Sequence, residues 1–241
     1  MTPSSQKIIL ALDVETLKEA EHFVKKLSGS IGIFKVGKQL FTHCGPTIIE
    51  MIHRHRAKVF LDLKFHDIPN TVARAVEEAC KLNVFMLTIH ALGGTKMMQE
   101  AVAARSTFAR NSSLPSPLIL AVTILTSLKP EDLKEIGING SVEEAVSRLA
   151  ILARQAGVNG VVASAQEAHI IRAACGNDLV IVTPGIRPRG TSRDDQKRAV
   201  TPHEALLAGA DYMVIGRPIL EARDPLKVAQ EIADELREGN N

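Results

Sequence analysis

The 241-residue sequence predicts an α/β fold, namely a single-domain (β/α)8 barrel that spans residues 1–241, with its active site at the C-terminal ends of the strands. Short apolar runs alternate with longer segments of helical period, and there are eight such runs. Several are apolar with little alternation, as in parallel strands that are covered on both sides. Because periodicity alone cannot close a barrel, a doubly wound open sheet remains the alternative.

The candidate strands are four to seven residues long and are distributed along the whole chain. They cover Ile8–Leu12, Ile31–Val36, Lys58–Lys64, Phe85–His90, Leu118–Thr123, Gly160–Ala163, Leu179–Thr183 and Asp211–Ile215.

The segments between these runs carry apolar stripes with the period of an amphipathic helix. One stripe consists of Leu17, Ala20, Val24 and Leu27. A final helix is expected to begin at Pro225, because proline is well suited to the first helical turn. Each candidate strand is therefore followed by helical sequence, as a βα repeat requires.

Composition excludes several classes of function. The formal net charge is only +2, so neither a nucleic acid nor a membrane is indicated as a partner. The three cysteines are far apart, which predicts neither a disulfide framework nor a CxxC metal or redox site. With no N-terminal signal pattern, and no apolar run near the roughly 18 residues of a membrane span, we expect a cytoplasmic protein.

The segment FLDLKFHDIPNTV, residues 60 to 72, places charges where a buried strand should be apolar. Asp62 and Lys64 are two residues apart, so both side chains should point to one face at the C-terminal end of the strand. Asp67 follows in the loop, before a helix expected from about Pro69. Burying ionised groups is costly unless they are paired, so this strand end is either an exposed edge or a functional site.

Two neighbouring strands also end in charged residues. Asp13 follows the first strand and Lys35 lies near the end of the second, so a barrel would bring both towards Asp62 and Lys64. Taken alone, Asp13 is better explained as a helix N-cap. A purely structural ion-pair network is usually less stable than apolar packing, so a functional network is the better interpretation of the four charges together.

Two later segments indicate a phosphate site. Residues 183–198 form a Gly/Pro/Arg-rich segment that is either a plain surface loop or a lid over an anion, with Arg187 and Gln196 as donors. After the eighth strand, Gly216 and Arg217 stand where a helix N-terminus offers backbone N–H groups. Loops after strands seven and eight are the recurrent phosphate site of barrels, so a phosphorylated substrate is expected.

Other polar residues at strand ends are less informative. Thr123 and Thr126 could each bond a substrate or the backbone, and position alone does not choose between them. His90 ends the fourth strand and is best explained as a hydrogen-bonded core histidine. The sequence indicates no metal site and no Ser-His-Asp or Cys-His arrangement.

The segment DLKFHDIPNT, from Asp62 to Thr71, resembles the signature of the orotidine 5′-phosphate decarboxylase family. Further segments of the chain appear in that family's order and extend the resemblance through nearly the whole sequence. They are LALDV, FKVGK, VTILTS, TPGIRP, DDQKR and IGRPI. The shorter Asp-x-Lys-x-x-Asp core is shared with sugar-phosphate decarboxylases and synthases, but the extension His-Asp-Ile-Pro-Asn-Thr is specific.

The resemblance implies an enzyme that converts orotidine 5′-monophosphate to UMP and CO2 without a cofactor or metal. It implies a homodimer in which Asp67 completes the neighbouring subunit's site. The implied catalytic network is Lys35, Asp62, Lys64 and Asp67, with Lys64 as the proton donor. The implied substrate contacts are Asp13, Lys35 and Thr71 at the ribose, Thr126 at the pyrimidine edge, and Arg187, Gln196, Gly216 and Arg217 at the phosphate. Ile68 is a further implied substrate contact.

Two alternatives remain open from the sequence. One is a metal-dependent sugar-phosphate decarboxylase or synthase of the same superfamily, which predicts a requirement for magnesium. The other is a non-catalytic barrel that binds a phosphorylated ligand, and such a protein would tolerate loss of Lys64.

Overall fold

The computed structural model describes residues 5–188 and 200–238, and it forms a closed barrel of eight parallel strands in the order β1 to β8. The barrel prediction is confirmed, and the open sheet is wrong because β8 pairs with β1. The strands are β1 Ile8–Ala11, β2 Ile33–Gly37, β3 Lys58–Phe65, β4 Met86–His90, β5 Leu118–Val122, β6 Gly160–Val162, β7 Val180–Thr183 and β8 Tyr212–Ile215. Every predicted run overlaps one strand, with ends that differ by at most two residues.

Helices follow the strands around the outside of the barrel. They are α1 Leu17–Leu27, α2 Lys38–Cys44, α3 Thr47–Arg54, α4 Pro69–Lys81, α5 Gly94–Asn111, α6 Pro130–Glu135, α7 Val142–Gln155, α8 Ala165–Cys175, α9 Pro202–Leu207, α10 Arg217–Leu220 and α11 Pro225–Glu238. Short 3-10 turns occupy Ser5–Lys7 and Ala91–Gly93. Across the described ranges, none of these helices combines the length and the apolarity needed to cross a bilayer.

Helix α1 is capped by Thr16 and not by Asp13. Thr16 is the N-cap of α1, and it forms a capping box with Glu19 in which each side chain accepts a hydrogen bond from the other residue's backbone N–H. The interpretation of Asp13 as the N-cap is therefore wrong, because Thr16 already satisfies the first turn. The helix expected from about Pro69 does begin there.

Apolar residues form two layers, one between strands and helices and one inside the barrel. The inner cluster consists of Ile9, Ala11, Ile33, Phe60, Met86, Leu120, Val182 and Val214. Side chains alternate along a strand, so the next inward positions on β2, β3 and β4 lie two residues further on. Those positions are Lys35, Asp62 and Thr88, and the apolar interior therefore passes into a polar layer towards the C-terminal ends of the strands.

The opposite end of the barrel is closed by aromatic packing. Tyr212 packs edge-on against Phe85, with ring centroids 6.4 Å apart. The ammonium group of Lys58 lies 4.3 Å from the centroid of the Phe85 ring, a cation–π contact.

Candidate active site

Asp62 is the centre of the polar layer. Both of its carboxylate oxygens lie 2.8 Å from the Lys64 ammonium, and Oδ2 lies 3.8 Å from the Lys35 ammonium. Lys35 in turn contacts Asp13 Oδ1 at 3.3 Å. The structure thus brings together Asp13, Lys35, Asp62 and Lys64 in a chain of alternating charge.

Burial differs along this chain of charges. The side chains of Lys35 and Asp62 are 12% and 13% exposed, whereas that of Asp13 is 59% exposed. Ionised groups that are this buried require partners, and each has at least one of opposite charge. The Asp62 end is therefore the fixed part of the network, and the Asp13 end faces solvent.

The backbone of β3 is irregular where it carries these charges. Leu61 pairs with Leu87, but the next pair is Phe65 with Ile89, so β3 bulges between them. Lys64 has a φ of +53°, in the left-handed region that residues with a Cβ seldom adopt. Despite the bulge, the side chains of Asp62 and Lys64 contact one another on one face, as predicted.

Sequence reasoning missed Thr88, a fully buried residue of β4. Its hydroxyl donates to Asp62 Oδ1 at 3.0 Å and accepts the backbone N–H of Lys64 at 2.8 Å. The available signal was a polar residue at an inward position between Met86 and His90. One hydroxyl therefore contacts both charged residues of the bulge.

A cavity of about 170 Å³ opens beside the Lys64 ammonium. Its polar lining comes from Lys35, Asp62, Lys64 and Thr126. The rest of the lining is apolar, from Phe60, Val122, Ile124, Leu125, Val162, Pro184 and Val214. Charge interactions are stronger beside such apolar walls than in water, so this cavity suits a reaction in which charge develops.

The structure distinguishes the two threonines that follow β5. Thr123 is fully buried and its hydroxyl donates to the Val162 carbonyl oxygen at 3.0 Å, which is a structural contact. Thr126 lines the cavity. Of the two, Thr126 is therefore placed to meet a ligand.

His90 is buried at the C-terminal end of β4. Its ring stacks on that of His66, with centroids 5.2 Å apart, and its Nδ1 accepts the Leu92 N–H at 3.4 Å. Burial, with the nearby charges of His66, Lys64 and Lys38, lowers the pKa of His90 from 6.5 to about 4. His90 is therefore a neutral, hydrogen-bonded histidine at neutral pH, as the sequence indicated.

The predicted phosphate residues lie after β7 and β8. Arg187 donates its backbone N–H to the Val200 carbonyl oxygen at 2.9 Å, beside a bridge between Ile186 and Val200. Gly216 packs against β1, where an added Cβ would lie 3.4 Å from Asp13 Oδ2. Arg217 begins α10 and is partly buried. Gln196 lies outside the described residues.

Asp67, Ile68 and Thr71 are exposed and do not line the cavity of their own chain. The Asp67 carboxylate accepts the Ile68 N–H at 2.6 Å. Ile68, the N-cap of α4, is a large apolar residue that is 66% exposed. Of the predicted catalytic network, Asp67 is thus the member that this chain does not bring to the other three.

A metal site is commonly built from three or more His, Cys, Asp or Glu side chains. Residues 5–188 and 200–238 contain no such group.

The fold and the site together define a (β/α)8-barrel enzyme with a charged, partly apolar cavity at the C-terminal ends of its strands. The chain belongs to the orotidine 5′-phosphate decarboxylase / HUMPS family, whose model matches residues 6–232.

Individual relatives agree with this assignment. The chain is 54% identical over 237 residues to orotidine 5′-phosphate decarboxylase of Syntrophotalea carbinolica, covering 98% of this chain and 97% of that protein. It is 53% identical to the protein of the same name from Trichlorobacter lovleyi, with the same coverage. The crystal structure of orotidine 5′-phosphate decarboxylase from Lactobacillus acidophilus superposes with a TM-score of 0.85 at 34% identity, covering 96% of this chain and 99% of that one.

Proposed function

We propose that this protein is a carboxy-lyase that converts orotidine 5′-monophosphate to UMP and CO2 in pyrimidine biosynthesis. The observation that carries the proposal is the Lys64 ammonium, held by both oxygens of Asp62 at the edge of a largely apolar cavity. The family and the names of its relatives point to the same reaction.

The chemistry needs a cation fixed in advance. When the bond from C6 to the carboxylate breaks, its electron pair remains on C6 of a ring that has no convenient electron sink. Only interactions that are stronger in the transition state accelerate this step. Lys64 is held by Asp62 and needs no reorganisation to stabilise the developing carbanion, and it then transfers a proton to C6.

Asp62 supplies a second, smaller contribution. In the proposed complex its carboxylate faces the carboxylate of the substrate, and their repulsion is relieved as CO2 leaves. The share of this ground-state effect is debated for enzymes in general, so we rank it below stabilisation of the carbanion.

The remaining contacts are assigned by position. Asp13 and Lys35, joined at 3.3 Å, are proposed to hold the ribose, and Thr126 the pyrimidine edge. At the phosphate we propose Arg187, Gln196, Gly216 and Arg217, which follow β7 and β8.

We propose a homodimer in which Asp67 reaches the neighbouring subunit's site, where Ile68 and Thr71 join the substrate contacts. The support is that Asp67, Ile68 and Thr71 are exposed where the loop meets α4, and that among the described residues of one chain Asp62 is the carboxylate that pairs with Lys64. A small-molecule substrate and a second copy of the chain are the proposed partners.

We also propose that residues 1–241 form one domain and act in the cytoplasm without a cofactor. The family model covers nearly the whole chain, and eight strands complete one barrel. The location rests on the sequence pattern alone.

One assay distinguishes the proposed decarboxylase from the metal-dependent alternative. We expect purified protein to convert orotidine 5′-monophosphate to UMP at the same rate with EDTA and with magnesium. Loss of activity in EDTA that magnesium restores would replace this proposal with the sugar-phosphate alternative. Binding of the substrate without turnover would favour the non-catalytic barrel.

A further inference from the structure

We infer that Thr88 is a positioning residue that sets the geometry of the Asp62–Lys64 pair through a single hydroxyl. This inference rests on the proposed function, because it concerns the groups that would act on C6. The hydroxyl lies one strand away from the charges that it orients.

The bulge in β3 creates the need for such a residue. Between the pairs Leu61–Leu87 and Phe65–Ile89, three residues of β3 face the single residue Thr88 of β4. Regular pairing of backbone N–H and C=O groups is interrupted across this step. A buried N–H without a partner is costly, so something other than the strand ladder must satisfy the N–H of Lys64.

The Thr88 hydroxyl satisfies it and also holds Asp62. It accepts the Lys64 N–H at 2.8 Å and donates its own proton to Asp62 Oδ1 at 3.0 Å. A hydroxyl has one donor and two acceptor positions, so both hydrogen bonds form at once. The carboxylate oxygen that Thr88 orients also lies 2.8 Å from the Lys64 ammonium.

The two hydrogen bonds act on different parts of the pair. One stabilises the left-handed backbone of Lys64, whose φ is +53° and which directs the side chain inward. The other fixes the rotation of the Asp62 carboxylate. Because Thr88 is fully buried on a strand paired on both sides, its own position is rigid. Loss of the hydroxyl should therefore displace the Lys64 ammonium without changing the shape of the cavity.

The test compares Thr88→Val, which keeps the shape but removes the hydroxyl, with Thr88→Ser, which keeps the hydroxyl. We expect Thr88→Val to lower kcat roughly 10- to 100-fold, since misplacing a preorganised group impairs the transition state more than binding. We expect UMP binding measured by calorimetry to change less than about threefold, and Thr88→Ser to keep kcat within about threefold of wild type.

Thr123→Val is the matched control. Thr123 is also fully buried and its hydroxyl also donates one hydrogen bond, but to the backbone of β6 and not to a charged group. We expect it to keep kcat within about threefold of wild type at a comparable loss of thermal stability. If Thr88→Val has wild-type kcat, or if Thr123→Val lowers kcat as much, Thr88 is only structural.

Amide hydrogen exchange at Lys64 tests the placement without turnover. We expect this N–H to exchange faster in Thr88→Val and at the wild-type rate in Thr88→Ser, relative to the neighbouring amides of β3. If the Lys64 N–H exchanges equally in all three proteins, relative to the neighbouring amides of β3, the inference is overturned. The comparison with neighbouring amides separates this local effect from a general loss of stability in the variants. A wild-type protein that fails to decarboxylate the substrate would instead reject the proposed function, and the exchange experiment would still decide whether Thr88 holds Lys64.

Discussion

Asp62 connects the two lysines of the site, since its carboxylate lies 2.8 Å from Lys64 and 3.8 Å from Lys35. The lysines would repel one another without it, and both side chains are partly buried. At the scale of single residues, therefore, function depends on which charges share a partner. The same reasoning applies to the proposed phosphate contacts, where Arg217 would pair with the charge of the substrate phosphate.

Arg217→Ala should lower kcat/KM for orotidine 5′-monophosphate by a factor that corresponds to about 2–4 kcal/mol of transition-state stabilisation, because a charge-assisted contact to the phosphate would be lost. Orotidine without its phosphate should be affected far less. The nearby exposed Arg223→Ala is the control and should leave both substrates unchanged. Equal losses for the two substrates in Arg217→Ala would show a structural role for Arg217.

His90 should make the free energy of unfolding depend on pH. Its pKa is lowered from 6.5 to about 4 by burial and nearby cations, so the unfolded chain takes up a proton below pH 6.5 that the folded protein takes up only near pH 4. The contribution of the neutral ring is fully present above pH 6.5 and is lost as the pH falls towards 4. The slope is at most about 1.4 kcal/mol per pH unit.

Urea unfolding at several pH values checks this. Between about pH 6.5 and pH 5, His90→Asn should remove up to about 2 kcal/mol of the pH-dependent loss in the free energy of unfolding. Asparagine retains an acceptor for the Leu92 N–H. His43→Asn is the control, because it replaces a histidine that is exposed. An unchanged slope in His90→Asn would show that another group titrates in this range.

At the scale of elements, α8 is tied to the strand starts by Arg172. Its guanidinium donates to the carbonyl oxygens of Leu179 at 2.6 Å and Gly209 at 2.8 Å, and contacts Asp211 Oδ2 at 2.5 Å. The same Asp211 oxygen accepts the Ile181 N–H at 2.7 Å. One side chain therefore joins a helix to the segments that precede β7 and β8.

Arg172→Met should lower the free energy of unfolding by about 2–4 kcal/mol, because the carbonyl oxygens of Leu179 and Gly209 and the carboxylate of Asp211 lose a charged, partly buried donor. Arg74→Met is the matched control. Arg74 pairs with Glu77 at 3.1 Å but is 75% exposed, so its loss should cost less than about 0.5 kcal/mol. Similar unfolding midpoints for the two variants would contradict the role given to Arg172.

The sequence predicted elements better than it predicted their irregularities. Apolar runs such as Leu118–Thr123 identify a strand because burial on both faces leaves a local pattern. The left-handed Lys64 leaves no such pattern, since its backbone depends on the pairing of β3 with β4, more than twenty residues away. Asp62 and Lys64 were predictable as charges in an otherwise apolar strand. Thr88 is a polar residue at an inward position, but its role became clear only from its contacts.

At the scale of the whole molecule, the position of Asp67 bears on how two chains assemble. It is exposed on the loop before α4, and in its own chain it bonds only the adjacent backbone among the hydrogen bonds observed in the described residues. The proposed dimer would bring it to Lys64 of the second subunit. This arrangement makes each site depend on both chains.

Subunit mixing tests the shared site. Lys64→Ala and Asp67→Ala proteins should each be nearly inactive, but a hybrid dimer has one site that lacks both residues and one that is intact. In an equimolar mixture about half of the dimers are hybrids, so about a quarter of wild-type activity per site should return. No recovery, despite subunit exchange shown by mass spectrometry, would place Asp67 in its own subunit's site.

The aromatic end of the barrel has an optical consequence. The chain has no tryptophan and a single tyrosine, Tyr212, which packs against Phe85 at the end opposite the cavity. Intrinsic fluorescence of this protein therefore comes from one position that a nucleotide in the cavity does not touch. Corrected for the excitation light that UMP absorbs, tyrosine emission should stay constant during titration with UMP and change when the closed end of the barrel opens, so the emission reports unfolding separately from ligand binding.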